Sequence, residues 1–229
     1  VKDTWVLAML HDGLALKSAG ADKVTKALTK QGQSYNDPDF VKAANCIKEL
    51  VDMGAFIDGA TGLSNDEASA SFYAEQVPMY FTGSWMGGSI VTDAEKPDNF
   101  AVAPIPVVNS KNASVTDFMG GGSDTLMVSA NTKNKDLAAA AAFEITRGVS
   151  KHAYLSGAGI PAWTVDYDAS SVPALTQQVA DIAGKATSYT LWFDTLMSSD
   201  DAGEYLTLLQ SLFAGDLKPE EFAAYYVIN

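Results

Sequence analysis

The sequence predicts an α/β fold, and three observations carry that prediction. Apolar residues make up 47% of the 229 residues, which is enough for a sizeable core. Helical segments with recognisable start and stop signals recur along the chain. Between them lie short apolar runs typical of strands, at 77–81, 100–104 and 125–129. Alternation of the two patterns favours an α/β arrangement. Because three strands are few for this length, we expect part of the sheet to lie outside this chain.

Local signals define most of the predicted helices. Thr4 is placed to cap a first helix. Pro38 occupies a typical first helical position, and the helix that it begins ends at Gly54. Ser64 and Glu67 have the spacing of a capping box. The remaining helices are predicted from Asn134, as the cap, to a stop at Gly148, and over 172–184, 200–214 and 219–227.

The net charge of −13 makes several partners poor candidates. Phosphate backbones and anionic membrane surfaces both repel an acidic protein, so we expect no nucleic-acid partner and no direct membrane contact. A single cysteine, Cys46, excludes an intrachain disulfide and cysteine-rich metal sites. The sequence has no apolar run of membrane-spanning length. It opens on Val1 rather than Met, which indicates a processed chain or a fragment.

Signatures of catalysis are weak. The chain has no Gly-x-Ser-x-Gly elbow and no Gly-rich phosphate loop between a strand and a helix. His11 and His152 lack metal-ligand spacing, and we expect His11 to be a surface or packing residue within its helix. Adjacent carboxylates fall at predicted helix starts, where the helix dipole favours them. We therefore expect no catalytic residue, no cofactor and no metal site.

Four tryptophans are spread along the chain, at positions 5, 85, 163 and 192. Trp85 follows Gly83 and Ser84, and Trp192 lies shortly before Asp194, so both rings occupy short segments between elements. Taken alone, each ring is more often part of a core. Small neighbours and a nearby carboxylate favour an exposed platform instead. An indole can stack on the apolar face of a sugar while polar groups bind its hydroxyls.

The order of several short motifs adds a family resemblance. In chain order these are Phe72, Val77-Pro78-Met79, Gly83-Ser84-Trp85, Asn99–Pro106, Gly120-Gly121-Gly122, Val128-Ser129, Lys133–Asp136 and Gly159-Ile160-Pro161. The series resembles the family 1 extracellular solute-binding proteins of ABC importers, in the sugar-binding group that includes maltose-binding protein. It extends from about residue 30 to about residue 225. Its specificity lies in the order, since no single motif is specific.

That resemblance implies a type II periplasmic-binding-protein-like clamp, in which two α/β lobes hold the ligand between them. Residues 1–119 and 172–229 would form the C-terminal lobe. Residues 120–124 would be a hinge crossing, and 125–171 a returning segment of the N-terminal lobe. Most of the N-terminal lobe would then be missing from this chain, which would also account for the few strands.

The same resemblance assigns candidate ligand-binding residues. The matching positions are Trp85 and Ser84 after a strand, Gly120, Gly121 and Gly122 at the hinge, Trp192 and Asp194 late in the chain, and Trp5 on the first helix. The aromatic rings would stack on a sugar, and Asp194 would bind a hydroxyl. Trp163 is expected to pack within the N-terminal-lobe segment instead.

As a member of this family, the chain would bind a carbohydrate, in particular a di- or oligosaccharide, and would catalyse no reaction. It would deliver the sugar to the transmembrane subunits of an ABC permease. The implied location is extracytoplasmic, either periplasmic or at the cell surface through a lipid anchor outside this chain. Two other interpretations stay open. One is a non-catalytic adhesion or scaffold module whose aromatics are core, and the other is a glycoside hydrolase that recruits carboxylates such as Asp194.

Overall fold

A computed structural model describes residues 2–122 and 125–225. Helices dominate it, and the described residues form one sheet of two short strands. The helices are α1 (Thr4–Ala19), α2 (Ala21–Leu28), α3 (Pro38–Asp52), α4 (Asn65–Tyr73), α5 (Met86–Asp93), α6 (Lys135–Ser156), α7 (Ala174–Ala183), α8 (Phe193–Leu196), α9 (Ser199–Ala214) and α10 (Pro219–Tyr225). The strands β1 (Asp117–Met119) and β2 (Ser188–Thr190) pair in parallel, with Phe118 opposite Tyr189.

The chain divides into two compact units. The first comprises Val1–Thr82, Ala103–Gly122 and Lys185–Asn229, and the second comprises Gly83–Val102 and Ser123–Gly184. The two units are defined only by contacts within this chain, and these contacts do not identify either unit with a lobe of a clamp. The assignment of its segments to two lobes of a clamp therefore stays a prediction. Of the predicted hinge at 120–124, residues 123 and 124 lie outside the described part of the chain.

The core of the first unit lies between four helices. α1 packs against α3 and α9, and α10 packs against α3. Their facing side chains are large and fully buried, including Phe40, Ile47, Leu209 and Phe222. Burial of each such side chain contributes about 1.5–3 kcal/mol, which makes this helical layer a major source of stability. The small sheet is attached to it, because β1 contacts α1 and β2 contacts α2.

The second unit contains α5, α6 and α7, and α5 packs against α7. α6 differs from a core helix because none of its residues is buried. Several of its large apolar side chains are exposed, including Leu137, Ile145 and Val149. An apolar surface of this extent on a helix is unusual for a solvent-facing element.

The three predicted strands are wrong. Residues 77–81, 100–104 and 125–129 do not form strands, whereas β1 and β2 lie in segments for which no strand was predicted. A strand needs a neighbour that pairs its backbone groups, and within the described residues the sheet consists of β1 and β2 alone. Met79 and Met127 are 83% and 91% exposed, so the described part of the chain leaves at least these two apolar side chains of the runs uncovered.

Most helix starts follow the local signals. α3 begins at Pro38, and the Asp37 carboxylate before it accepts a hydrogen bond from the Asp39 amide. The helices predicted late in the chain are confirmed as α7, α9 and α10. The predicted end of the last one, at residue 227, lies outside the described residues.

Three details of the helix ends differ from the prediction. Asp3, rather than Thr4, holds the N-cap position of α1. Asn134 holds the N-cap position of α6, but its side chain makes no hydrogen bond to the helix. The predicted stop at Gly148 is wrong, because α6 continues until Gly157, which adopts the left-handed conformation with φ 85°. A glycine inside a helix costs about 1 kcal/mol relative to alanine but does not end it.

The predicted capping box at the start of α4 is confirmed. The Ser64 hydroxyl accepts a hydrogen bond from the Glu67 amide at 3.3 Å, and the Glu67 carboxylate accepts one from the Ser64 amide at 2.8 Å. Ser64→Ala is expected to lower the free energy of unfolding by about 1 kcal/mol, as measured by urea denaturation. Ser71→Ala is the control, because that hydroxyl only donates to the Glu67 carbonyl within the helix. Equal losses for the two substitutions would contradict the role of the cap.

Candidate functional site

The turn that carries Trp85 belongs to the second unit, directly before α5. A Cβ atom added at Gly83 would lie 2.0 Å from Cζ3 of Trp85, so the indole lies directly on the glycine backbone. No other residue at position 83 would allow this approach. The indole is 46% exposed, and Ser84 beside it is half-buried. The turn therefore presents an aromatic ring that is backed by the chain on one side and open to solvent.

The two glycines after Trp85 have a different role. A Cβ atom at Gly87 would lie 2.7 Å from the carbonyl oxygen of Gly157, and one at Gly88 would lie 3.3 Å from Ala158. Thr176 of α7 also contacts this point, where its hydroxyl donates to the Gly157 carbonyl at 3.3 Å. These glycines let α5 pack closely against its neighbours, and this packing holds the turn with Trp85 in place.

In the first unit, the predicted glycine segment follows β1. The Gly120 amide donates to the Thr190 carbonyl at 2.8 Å, which extends the pairing of the two strands. Gly121 has φ 81°, and a Cβ atom there would lie 3.2 Å from the Cβ atom of Tyr189. The glycine backbone therefore runs along Tyr189. Gly122 is exposed, and a Cβ atom there would meet no atom within 4 Å.

Tyr189 is a candidate that the sequence analysis missed. Its ring is 51% exposed, and the Phe118 ring across the sheet lies 6.2 Å away between centroids. The neighbouring Thr190 is buried, as expected for alternating sides of a strand. Recognition of 188–190 as a strand would have provided the signal, because an aromatic on its solvent face stands out.

Trp192 and Asp194 flank the start of α8. Trp192 is half-buried at the N-cap position, and Asp194 is exposed in the first turn. The Asp194 carboxylate accepts a hydrogen bond from the Thr195 hydroxyl at 3.3 Å. Since Trp192 follows β2 closely, it lies near the glycine segment that pairs with the end of that strand. The structure thus brings these predicted residues into one region of the first unit.

Three buried side chains joined by hydrogen bonds support the start of α8. The Phe193 amide donates to Oδ2 of Asp12 at 3.0 Å, and the Tyr205 hydroxyl donates to Oδ1 of Asp12 at 2.7 Å. The Tyr205 oxygen also lies 2.6 Å from Nδ1 of His11. All three side chains are buried. His11 is therefore a packing residue, one of the two alternatives that its place in a helix predicted.

Burial favours the neutral forms of Asp12 and His11. Desolvation raises the pKa of Asp12 to about 7, although the hydrogen bonds from Tyr205 and Phe193 favour the carboxylate. Desolvation lowers the pKa of His11 to about 3. A low-dielectric interior disfavours both charges, so His11 is neutral near physiological pH while Asp12 is close to its midpoint.

Lys17, in the last turn of α1, holds the loop that precedes the glycine segment. Its ammonium is buried and donates to the carbonyls of Ser114 at 2.9 Å, of Val115 at 3.1 Å and of Asp117. It also lies 5.2 Å from the centre of the Phe118 ring. Desolvation lowers the pKa of this ammonium. These contacts fix the loop that enters β1 and hence the start of the glycine segment.

The remaining tryptophans occupy different settings. Trp5 is 36% exposed in the first turn of α1, in the first unit. Trp163, in the second unit, packs edge-on against Phe143 at 4.9 Å between centroids. The predicted ligand residues thus fall in both units: Trp85 and Ser84 in the second, and the others in the first.

Residues 2–122 and 125–225 contain neither a metal-binding cluster nor a membrane-spanning helix. No group of three or more His, Cys, Asp or Glu side chains there could hold a metal ion. None of the helices there combines the length and the apolar character needed to cross a bilayer.

Comparisons with known proteins give a consistent result. The family model described as bacterial extracellular solute-binding protein matches residues 2–143, which is more than half of the chain. No curated protein matches the sequence.

Several solved structures are similar to the chain, among them the following two. One comes from a study of xylan utilization by the thermophilic bacterium Caldanaerobius polysaccharolyticus, with 32% identity, a TM-score of 0.93, and coverage of 98% of this chain and 58% of that chain. The other is a chitin oligosaccharide binding protein with 23% identity, a TM-score of 0.85, and coverage of 99% of this chain and 56% of that chain. The chain therefore spans somewhat more than half the length of these proteins. The fold resemblance inferred from the motif order is confirmed.

Proposed function

This chain belongs to the bacterial extracellular solute-binding protein family, and from that premise we propose that it binds a neutral carbohydrate, in particular a di- or oligosaccharide. Its fold is the α/β fold of type II periplasmic binding proteins. Both similar structures come from saccharide systems, one named for xylan utilization and the other for chitin oligosaccharide binding. A neutral ligand also suits a chain with a net charge of −13.

The observation that carries the proposal is the geometry of Trp85. Its indole rests on Gly83 and leaves nearly half of its surface open. The backing chain fixes the ring before a ligand arrives, so little side-chain entropy is lost when the ring is used. A flat, rigid and exposed indole matches the apolar face of a pyranose ring.

The first unit supplies a second set of groups suited to a sugar. Tyr189 and Trp192 provide rings, and Asp194 provides an exposed carboxylate that can accept hydrogen bonds from hydroxyls. Gly120 and Gly121 let the backbone approach closely, because they carry no side chain. Trp5 is retained as a further candidate on α1. Binding by stacking and hydrogen bonds requires no cofactor and no catalytic residue.

The role in transport is part of the same proposal. The protein delivers the bound sugar to the transmembrane subunits of an ABC permease, which contact both lobes of the closed clamp. It acts outside the cytoplasm, either in the periplasm or at the cell surface through a lipid anchor outside this chain. Membership of an extracellular family supports this location.

Trp85→Ala is the substitution that tests the stacking role. It is expected to weaken saccharide binding about fivefold or more, because the loss of one stacked aromatic costs about 1 kcal/mol. Isothermal titration calorimetry with xylo-, chito- and malto-oligosaccharides measures the effect. Trp163→Ala is the matched control, since that ring packs on Phe143 and is expected to leave the affinity unchanged. Equal losses for the two substitutions, or none for Trp85→Ala, would contradict the proposed role of Trp85.

A further inference from the structure

The buried, hydrogen-bonded side chains of His11, Tyr205 and Asp12 have no role in the proposed binding mode. Burial of such polar groups nevertheless costs free energy. A carboxyl group in an apolar interior costs free energy, whether charged or neutral, unless its oxygens are hydrogen-bonded. An apolar residue at position 12 would avoid that cost within the core of the first unit. The partners of the carboxylate therefore indicate what it contributes to the protein.

One of those partners is the segment that carries two predicted ligand residues. Oδ2 of Asp12 accepts a hydrogen bond from the Phe193 amide at 3.0 Å. That amide belongs to the residue between Trp192 and Asp194, at the first position of a helix of only four residues. So short a helix makes few hydrogen bonds of its own, and its orientation depends on tertiary contacts.

The second partner makes Asp12 a fixed support. Oδ1 accepts from the Tyr205 hydroxyl at 2.7 Å, and Tyr205 and His11 are fully buried in an aromatic cluster with Tyr35 and Phe222. The charged group that acts on Asp12 besides these partners is Asp194, which lies on α8. The carboxylate is thus held at one oxygen by the core, and it holds the 192–194 segment with the other.

We propose that Asp12 is a positioning residue that fixes the Trp192–Asp194 segment for ligand binding through its hydrogen bond to the Phe193 amide. This inference rests on the proposed function, because it assigns a use to the segment. Asp12 itself is buried and contacts no ligand. Its effect on affinity is transmitted entirely through the backbone of residue 193.

Substitutions at position 12 distinguish the loss of the hydrogen bond to the Phe193 amide from a general loss of stability. Asp12→Ala removes the acceptor and is expected to weaken saccharide binding about tenfold and to speed hydrogen exchange of the Phe193 amide at least tenfold. Asp12→Asn is expected to stay within about threefold of the wild type in both measurements. Its amide oxygen can accept from the Phe193 amide while its nitrogen donates to Tyr205, whose hydroxyl then donates to Nδ1 of His11.

Leu212→Ala is the control for lost stability. Leu212 is fully buried on α9, the helix that carries Tyr205, and its truncation is expected to destabilise the fold by about 2–5 kcal/mol without removing the anchor. Its saccharide affinity is expected to match that of the wild type. If Asp12→Ala does not fold, Tyr205→Phe removes the hydroxyl that supports the carboxylate and is expected to weaken binding at least threefold.

Several outcomes would overturn the inference. An affinity of Asp12→Ala within threefold of the wild type would do so, as would equal losses for Asp12→Ala and Leu212→Ala. Unchanged protection of the Phe193 amide in Asp12→Ala would reject the anchor itself, whatever the ligand. If the wild-type protein bound no saccharide, the proposed function would fail. The exchange measurement would still report separately whether Asp12 holds the segment.

Discussion

Asp12→Asn and His11→Phe are expected to give the protein opposite changes in the pH dependence of its unfolding free energy. Both substitutions keep the size of a buried side chain and remove one titrating group. The two groups have folded-state pKa values that move in opposite directions from their ordinary values. Their contributions to the pH dependence therefore have opposite signs.

The sign follows from which state binds the proton. In Asp12→Asn, His11 still titrates. Its pKa is about 3 in the folded protein, whereas its ordinary value, which applies to the unfolded chain, is 6.5. Between these values only the unfolded state binds a proton, so stability rises with pH. With His11 replaced, Asp12 remains, and its pKa is about 7 when folded against 3.8. Here only the folded state holds the proton, so its stabilisation is complete below the unfolded pKa and is lost as pH rises through the folded pKa.

In the wild type, the two effects oppose one another between 3.8 and 6.5. The folded pair holds one proton on Asp12, and the unfolded pair holds one proton on His11. Folding then moves a proton from one residue to the other without a net exchange with solvent. The pair thus adds little pH dependence of its own, although both groups are strongly perturbed.

Urea denaturation at several pH values within that window tests the prediction. All other titrating groups are common to the three proteins, so the difference between each variant and the wild type isolates the pair. We expect slopes of about +1.4 kcal/mol per pH unit for Asp12→Asn and about −1.4 kcal/mol per pH unit for His11→Phe. Slopes of the same sign, or no difference from the wild type, would show that the buried pair is not neutral in the folded protein.

Lys17→Met, a substitution on α1, is expected to destabilise the protein strongly, because Lys17 holds the loop that enters β1. The substitution keeps the aliphatic length of a fully buried side chain and removes an ammonium that serves three carbonyls. Each of these carbonyls loses a charge-assisted hydrogen bond. A buried acceptor that loses its hydrogen bond typically costs about 1–3 kcal/mol, and since these three carbonyls are only partly buried we expect a total loss of about 3 kcal/mol.

Lys42→Met provides the comparison for Lys17→Met. The Lys42 ammonium donates to one backbone carbonyl, that of Val108 at 3.0 Å, and its side chain is exposed. Water can replace it there, so we expect a change of less than about 0.5 kcal/mol. Thermal and urea denaturation of both variants measure the difference. A loss for Lys17→Met as small as that for Lys42→Met would refute the supporting role of this lysine.

Features that depend on near neighbours in the sequence were predicted well. The capping box of Ser64 and Glu67 and the proline start of α3 need only a few adjacent residues, and both are confirmed. The strand predictions failed for the converse reason. An apolar run becomes a strand only beside a partner, and the sequence does not say whether this chain supplies one.

The candidate site shows the same limit. The small residues around Trp85 predicted an exposed ring, and Gly83 does hold the indole in a half-exposed position. The anchor from Asp12 to Phe193 joins residues 181 positions apart, and no local pattern indicates it. Tyr189 was missed because its strand was predicted as a connection. Long-range pairing, rather than local propensity, separates what the sequence predicted from what it did not.

Calorimetric titration of the purified protein with a panel of neutral oligosaccharides tests saccharide binding most directly. The panel contains xylo-, chito- and malto-oligosaccharides of increasing length, with amino acids and short peptides as non-saccharide controls. We predict saturable binding of one saccharide class, accompanied by a change in tryptophan fluorescence, and no binding of the controls. Binding of a control with no response to any saccharide would contradict the proposal that this chain binds a carbohydrate.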